Sequence, residues 1–474
     1  MRQLLRSAIL LSGTLVAVSA AAGAAATATD ATLDKERGRW ESVADQIWDF
    51  SELGLAEKRS AALLEDVLEK EGFAVKREVS GMPTAFAATI GSGSPVVGIL
   101  AEYDALPGLS QAAGEARQDP RLKGAPGHGC GHNLLGTAAV AAAVAANRER
   151  LAAHLPGTIK VFGTPAEEQL IGKPFMLRSG AFAGTDAVLS WHPEAANQVV
   201  TKQRLALTAL DVEFFGKAAH AASAPWLGRS SLDAVEVFDH AIALMREHVL
   251  PTARLHRVIK DGGLAANVIP DYARVQYFVR DQKTGSVQEM LGRLRKAAEG
   301  AALCTETQAK VTLLGSTREP LNNEVLGKLL QKHLERVGPP RWDASQVAFA
   351  KALQKELNVE QLGLAPEVVR FGPGHGGTAS SDLGEVSAVL PLAELNVATR
   401  PIGTAAHHWG QTACAAHPIG RTGMMIAAKV LAASFVDLLA QPALVDAAKA
   451  EFQKTTEGKP YVSPLAEGAK PVTY

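Results

Sequence analysis

The chain has 474 residues, enough for two or three domains around a large core. Its 48 Lys and Arg nearly balance 49 Asp and Glu, leaving a net charge of -1 at pH 7, so no global field invites nucleic acid or an anionic membrane surface. Three cysteines, Cys130, Cys304 and Cys414, are too few and too scattered for a disulfide scaffold.

At the start, Arg2 and Arg6 precede a long apolar run, Ala8 to Ala26, with Ala-x-Ala options at Ala24–Ala26 and Ala26–Ala28. Residues 1–28 thus have the pattern of a secretory signal peptide, predicting a periplasmic or secreted protein without a stable membrane anchor. No other stretch is expected to offer enough uninterrupted apolar length to span a bilayer. Trp40 to Leu53 and Arg59 to Glu71 show helical spacing, the second ending at Gly72. Phe73 to Val79 and Ala85 to Ile90 predict strands, and Pro95 to Ala101 a buried one. The last runs into Glu102-Tyr103-Asp104, placing two carboxylates at the strand edge where open α/β sheets bind ligands.

Gly127-His128-Gly129-Cys130-Gly131-His132-Asn133 sets a thiol and an imidazole two residues apart among glycines. The alanine-rich run to Ala146 predicts a buried helix that Asn133 can cap. A cysteine near such a helix start is expected to favour the thiolate. Thiolate and neutral imidazole bind zinc and similar divalent ions; taken alone, the motif is equally a turn with an inert cysteine. Two further strands follow, Thr158 to Gly163 leading to Glu167-Glu168, and Asp186 to Ser190 leading to His192. Strands alternating with helices imply a mostly parallel sheet whose strand ends share one rim. That recurrence, rather than any single motif, points to a metal site.

From Leu205 the texture changes. A strand (Leu205 to Phe215), a polar loop ending at His220, a helix (Ser231 to His248), Asn267 to Asp271 leading into a strand (Ala273 to Arg280), a helix (Val287 to Leu303) and a strand (Lys310 to Leu314) follow. This is the order of a ferredoxin-like α+β unit, here an insert. Apolar α/β texture resumes with Glu324 to Val337. The expected division is a catalytic domain in two parts, 29–204 and 317–474, around an inserted domain at 205–316. Gly372 to Gly377 matches G-x-G-x-x-G but comes late and opens no apolar crossover helix, which excludes a dinucleotide site. His407 and His408 follow, then an apolar helix from Ile419 to Leu439. The chain has no G-x-S-x-G elbow, Walker loop or H-E-x-x-H.

A two-ion hydrolytic site needs several anionic or imidazole ligands, one of them bridging, and a free carboxylate for protons. Cys130, His132, Glu168, His192 and His407 are available as ligands. The adjacent Glu167 and Glu168 suit divided labour, and Asp104 can orient a ligand histidine.

The runs AEYDALPG, GHGCGHN, TPAEE, SWHPE, GKAAHAA, NVIPD and GTAAHHW, in this order, resemble the metallo-aminoacylase and carboxypeptidase family of amidohydrolases. The likeness is nearest the branch of the aminobenzoyl-glutamate hydrolases and the auxin-conjugate amidohydrolases. It implies a two-metal catalytic domain, zinc or manganese, with an inserted lid that makes a homodimer. It also implies Cys130 as bridging ligand, completed by His132, Glu168, His192 and His407, with Glu167 as general base and Asp104 in support. His220 resembles the histidine that crosses to the partner's site, and Asn267 a substrate contact on the lid. Where related families have His-x-Asp, this chain has Glu102-x-Asp104, so Glu102 is not counted as a ligand. The motif favours His407 over His408; His128 is either a near-site residue or a surface loop histidine. The implied activity is hydrolysis of an amide between an acyl group, aromatic by resemblance, and an amino acid such as glutamate. The alternatives are a dipeptidase or general N-acyl-amino-acid deacylase, or a non-catalytic conjugate-binding protein, which has no need of a base beside the metal.

Overall fold

A computed structural model describes residues 27–376, 379–465 and 469–471. The expected signal segment falls almost wholly outside them; residues 27–35 are helical. The larger sheet has seven strands, in the order Ala74–Lys76, Phe86–Ser92, Gly157–Gly163, Val96–Ala101, Ala187–Glu194, Leu392–Ala398 and Gln198–Val199. The four from Gly157–Gly163 to Leu392–Ala398 are parallel, and the outer pairings are antiparallel.

These central strands are apolar on both faces because both are covered. Val97, Ile99, Leu189 and Leu395 join one cluster with the helices His132–Ala152 and Pro418–Ala440. The alternate residues Leu100, Phe162, Val188 and Leu392 join a second cluster with Phe175 and Met176. The helix Pro418–Ala440 corrects the expectation that no segment beyond the N-terminal one has membrane-spanning length and apolarity. It lies within the core, so its apolar surface is spent on packing.

Residues 206–317 build a separate antiparallel sheet in the order Gln308–Thr317, Ala206–Phe215, Tyr272–Asp281, Arg254–Asp261. Two helices, Ser231–Met245 and Thr284–Thr305, pack on it around a core that includes Phe214, Phe238, Tyr277 and Leu294. The edge strand Arg254–Asp261 is exposed along most of its length. A two-stranded ribbon pairs His220 with Val268, bringing the loops that carry His220 and Asn267 together.

Candidate metal centre

The four parallel strands end on one rim, and three of them deliver polar groups there. Val96–Ala101 leads to Glu102 and Asp104, Gly157–Gly163 to Glu167 and Glu168, and Ala187–Glu194 contains His192. Cys130 and His132 sit at the start of the helix His132–Ala152. Gly131 makes that approach with φ +81°, and a Cβ there would lie 3.0 Å from Pro193 Cβ and from Gln411 Nε2. A residue other than glycine would meet both strain and contact.

Two expectations about this turn are corrected. Asn133 does not cap the helix; Gly131 occupies that position. The Asn133 amide instead donates to Ala44 O and Ala415 O, each at 3.2 Å, tying the turn to two other segments. Nor does the helix start favour the thiolate: burial and the nearby Glu168 and Glu167 carboxylates push the Cys130 thiol well above its ordinary value. Desolvation outweighs the macrodipole here.

Two donor sets meet at the Cys130 sulfur. Cys130, His132 and His192 offer ligand atoms within 4.8 Å of one another, and so do Cys130, Glu168 and His407. His132 Nδ1 lies 2.8 Å from Asp104 Oδ1, and His192 Nδ1 is 2.9 Å from Pro193 O. With Nδ1–H donating in each case, both rings turn Nε2 toward the shared space, His192 Nε2 lying 3.3 Å from Cys130 Sγ. His407 Nε2 is 3.2 Å from Glu168 Oε2. Burial and the charges of Arg204 and His132 hold His192 well below its usual range. The surrounding protein, with His132 and Arg400, also lowers His407. Both shifts favour the neutral imidazole, which is the ligand form.

The residues fit a pair of divalent ions. His132 Nε2 and Glu168 Oε1 are buried with no hydrogen bond among the described residues, His132 Nε2 lying 3.3 Å from Glu102 Oε2. Burial opposes charge on His132, but the neighbouring Cys130 and Asp104 outweigh it and raise its pKa well above the usual value. The protein thus concentrates anionic groups around a spot that calls for positive charge. Sulfur, imidazole and carboxylate donors suit zinc-like ions.

Glu102 shares a third set with His132 and Glu167. Its Oε1, however, is 2.8 Å from Lys173 Nζ, which also bonds Asp382, all three groups being buried. That ammonium supplies the counter-charge, which argues against Glu102 as a ligand. Of the adjacent histidines, His408 serves the helix Trp409–Ala415 as N-cap, its Nδ1 accepting from Gly410 N at 3.2 Å. His407, in the left-handed region at φ 55°, faces the centre, and its N–H donates to Gly129 O at 2.8 Å. His128 is not on the surface; it is buried and its ring Nε2 lies 3.0 Å from Ile47 O. His220 and Asn267 are exposed on the inserted domain and line no part of the cleft beside the donor sets. The Gly372 to Gly376 loop packs on residues 201–202 through His375 O, and only a five-residue helix, Leu383–Ser387, follows.

The cleft, about 300 Å³, is also lined by Arg204, Phe278, Arg280, Ser380 and Ser381. None was legible: each is an isolated residue in an ordinary strand or loop. Glu57 is another. It is fully buried, accepting from Ala166 N at 2.9 Å and Thr84 Oγ1 at 2.8 Å. Burial and the charge of Asp104 push its carboxyl up to about 8. Ala166, at φ 54°, is the left-handed residue that turns the chain into Glu167 and Glu168. Replacing Glu57 with Ala should leave that N–H unpaired, lowering stability by about 1–3 kcal/mol and metal affinity roughly 10–100-fold. Denaturant unfolding and metal titration check this, and Glu57→Gln, which keeps an acceptor, should lose less.

The sequence profile of peptidase family M20/M25/M40 matches residues 98–469. The chain is 38% identical over 469 residues to the B component of p-aminobenzoyl-glutamate hydrolase from Escherichia coli (strain K12), covering 93% of this chain and 98% of that one. It is 30% identical over 438 residues to the Xaa-Arg dipeptidase of Mus musculus, covering 89% and 90%. Among solved structures, a dinuclear metal-binding peptidase of the M20 family from Bacillus subtilis superposes with a TM-score of 0.57 at 19% identity, covering 86% of this chain and 99% of that one. The aminobenzoyl-glutamate utilization protein of Klebsiella pneumoniae also gives 0.57, at 18% identity, covering 87% and 98%. These two support the fold alone. With the profile match, the full-length relatives and the shared-sulfur donor sets, the chain belongs to peptidase family M20/M25/M40 and is a metallo-hydrolase.

Proposed function

We propose that the protein hydrolyses the amide between an aromatic acyl group and an amino acid, with conjugates of the p-aminobenzoyl-glutamate type as substrates. The observation that carries this is the pair of donor sets meeting at Cys130 with the Glu167 carboxylate beside them; the substrate class follows the Escherichia coli relative. Two divalent ions, zinc or manganese, when bound supply Lewis acidity toward a water and the scissile carbonyl. Cys130, His132, His192, Glu168 and His407 would hold them, Cys130 being common to the two donor sets. Asp104 holds His132 by its Nδ1 and Glu168 by its backbone N–H, at 2.8 and 3.0 Å. Glu167 takes the proton of the attacking water and returns it to the leaving amine. Burial and the Glu102 carboxylate raise its pKa, which suits a group that must both accept and donate. Arg280, on the lid strand Tyr272–Asp281 and 3.4 Å from Ser380 Oγ, is the cation we assign to the substrate's α-carboxylate.

The proposed assembly is a homodimer through the inserted domain. Val258 and Ile259 on its edge strand are 50% and 45% exposed, and Val237 and Leu244 on the adjoining helix also face outward. An uncovered apolar edge of this kind is a pairing surface. His220 Nδ1 accepts from Ala222 N and Ser223 N, each at 3.2 Å. Its Nε2 therefore carries the proton and can donate to an oxyanion in the partner's cleft, near Asn267 as a substrate contact.

Mixing tests this. Homodimers of His220→Ala should lose on the order of 10²–10³ in kcat, and those of Glu167→Gln should be similarly impaired. Freely exchanging mixtures should recover about a quarter of wild-type activity, since about half the chains sit in heterodimers with one intact site. No recovery despite exchange removes His220 from the partner's site. Export is proposed on the residues 1–28 pattern, and cell fractionation checks it.

The mouse dipeptidase relative favours a second reading, dipeptide hydrolysis at the same centre. A hydrolysis screen over p-aminobenzoyl-glutamate, other N-acyl amino acids and dipeptides, with metal analysis, separates the two. Metal binding without turnover of any of them would leave the conjugate-binding reading.

A further inference from the structure

Three arginines stand around the cleft, and their donors are committed differently. Arg400 is fully occupied by structure: it bonds Glu194, Pro193 O, Thr404 O and Gln411 Oε1. Arg280 belongs to the lid strand and is assigned above. Arg204 is only 7% exposed, yet it lines the cleft together with Cys130, Glu167 and His192. Its Nη2 donates to Glu394 Oε1 at 2.7 Å, while its Nε is buried without a hydrogen-bond partner among the described residues. Its charge is felt at the centre, lowering His192, and the Glu167 carboxylate in turn acts on it.

A buried guanidinium with an unfilled donor is costly unless something completes it. Glu394, on the all-buried strand Leu392–Ala398, fixes the head in place. Such a fixed donor in a cleft wall recognises an anion without having to be ordered first. With Arg280 taking one carboxylate, Arg204 is placed for another.

We infer that Arg204 is a specificity-determining residue that reads the side-chain carboxylate of the leaving amino acid, the second acid of the glutamate conjugates proposed above. The inference rests on the amidase reading above.

The test compares p-aminobenzoyl-glutamate with p-aminobenzoyl-glutamine, which differ at that group by charge and little in shape, using the full-length protein loaded with zinc or manganese. Wild type should prefer the glutamate conjugate in kcat/KM by roughly 10- to 100-fold, the range of a charge-assisted hydrogen bond. Arg204→Met should lose most of that factor on the glutamate conjugate and far less on the glutamine conjugate, collapsing the preference. Arg204→Met also strands Glu394 in the core, so Arg204→Met/Glu394→Met is measured beside it, with bound metal per protomer determined for both. Hydrolysis by wild type without a charge preference overturns the inference and leaves the amidase reading standing. So does an equal loss on both conjugates in a double variant that retains its metals. No hydrolysis of either conjugate by metal-loaded wild type overturns the amidase reading and the inference together.

Discussion

Cys130→Ala should strip the protein of both ions and reduce turnover by on the order of 10⁴–10⁶, the scale seen when one member of a cooperating catalytic unit is removed. The size follows from geometry. The sulfur belongs to both donor sets, so its loss leaves His132 and His192 on one side and Glu168 and His407 on the other without their common ligand. In the proposed two-ion centre, two remaining protein donors per ion would hold neither well, because structural and catalytic zinc sites use three or four. Alanine also removes little bulk from a buried turn, and the turn itself is held by the Asn133 amide and the Gly129 carbonyl rather than by the thiol. The variant should therefore fold. Cys304→Ala is the control: Cys304 is exposed on the inserted domain, and its loss should change neither metal content nor rate. Elemental analysis with kinetics on both variants decides the matter. Full metal occupancy and a normal rate in Cys130→Ala would remove the sulfur from the centre.

What the sequence made legible was whatever repeats. Val96–Ala101 and Ala187–Glu194 announce themselves because residues on both their faces are buried, and a two-sided core leaves an unbroken apolar run. The strand Arg254–Asp261 did not, since it is an exposed edge whose side chains answer to solvent on most positions. The donor residues were legible because they recur at successive strand ends; Arg204 and Glu57 were not, because a single polar residue carries no periodic signal. The motif already favoured His407 over His408, and the fold adds a physical reason. One ring is consumed in capping a helix, and only the hydrogen bond to Gly410 N reveals it. The thiol was misread for a related reason: the dipole of a helix start is local and visible in sequence, while the burial that opposes it is made by residues far along the chain.

Glu167→Gln and Glu168→Gln should part company although they are neighbours. Glu168 Oε2 meets His407 Nε2 at 3.2 Å, and Glu168 stands in the set with Cys130. Its replacement by an amide, a weak neutral ligand, should lower metal affinity, with activity recovering as metal is raised. Glu167 is buried beside Glu102 and His132, outside either Cys130 set. Its amide should keep both ions and bind substrate while kcat falls roughly 10²–10⁴-fold, the usual cost of losing a general base, with no rescue by metal. The backbone explains how adjacent residues reach different tasks. Ala166 at φ 54° and Leu170 at φ 57° bracket a single tight turn, Glu167–Gln169, whose consecutive side chains leave in different directions. Asp104 fixes that turn through Glu168 N at 3.0 Å, and Glu57 fixes it through Ala166 N at 2.9 Å. A shift of either anchor would exchange or blur the roles, because about 1 Å of misplacement can cost 10²-fold. Metal titration followed by kinetics at saturating metal distinguishes the two variants. If Glu167→Gln loses its ions and Glu168→Gln retains them with a low kcat, the assignments are reversed, and the base is the residue that contacts His407.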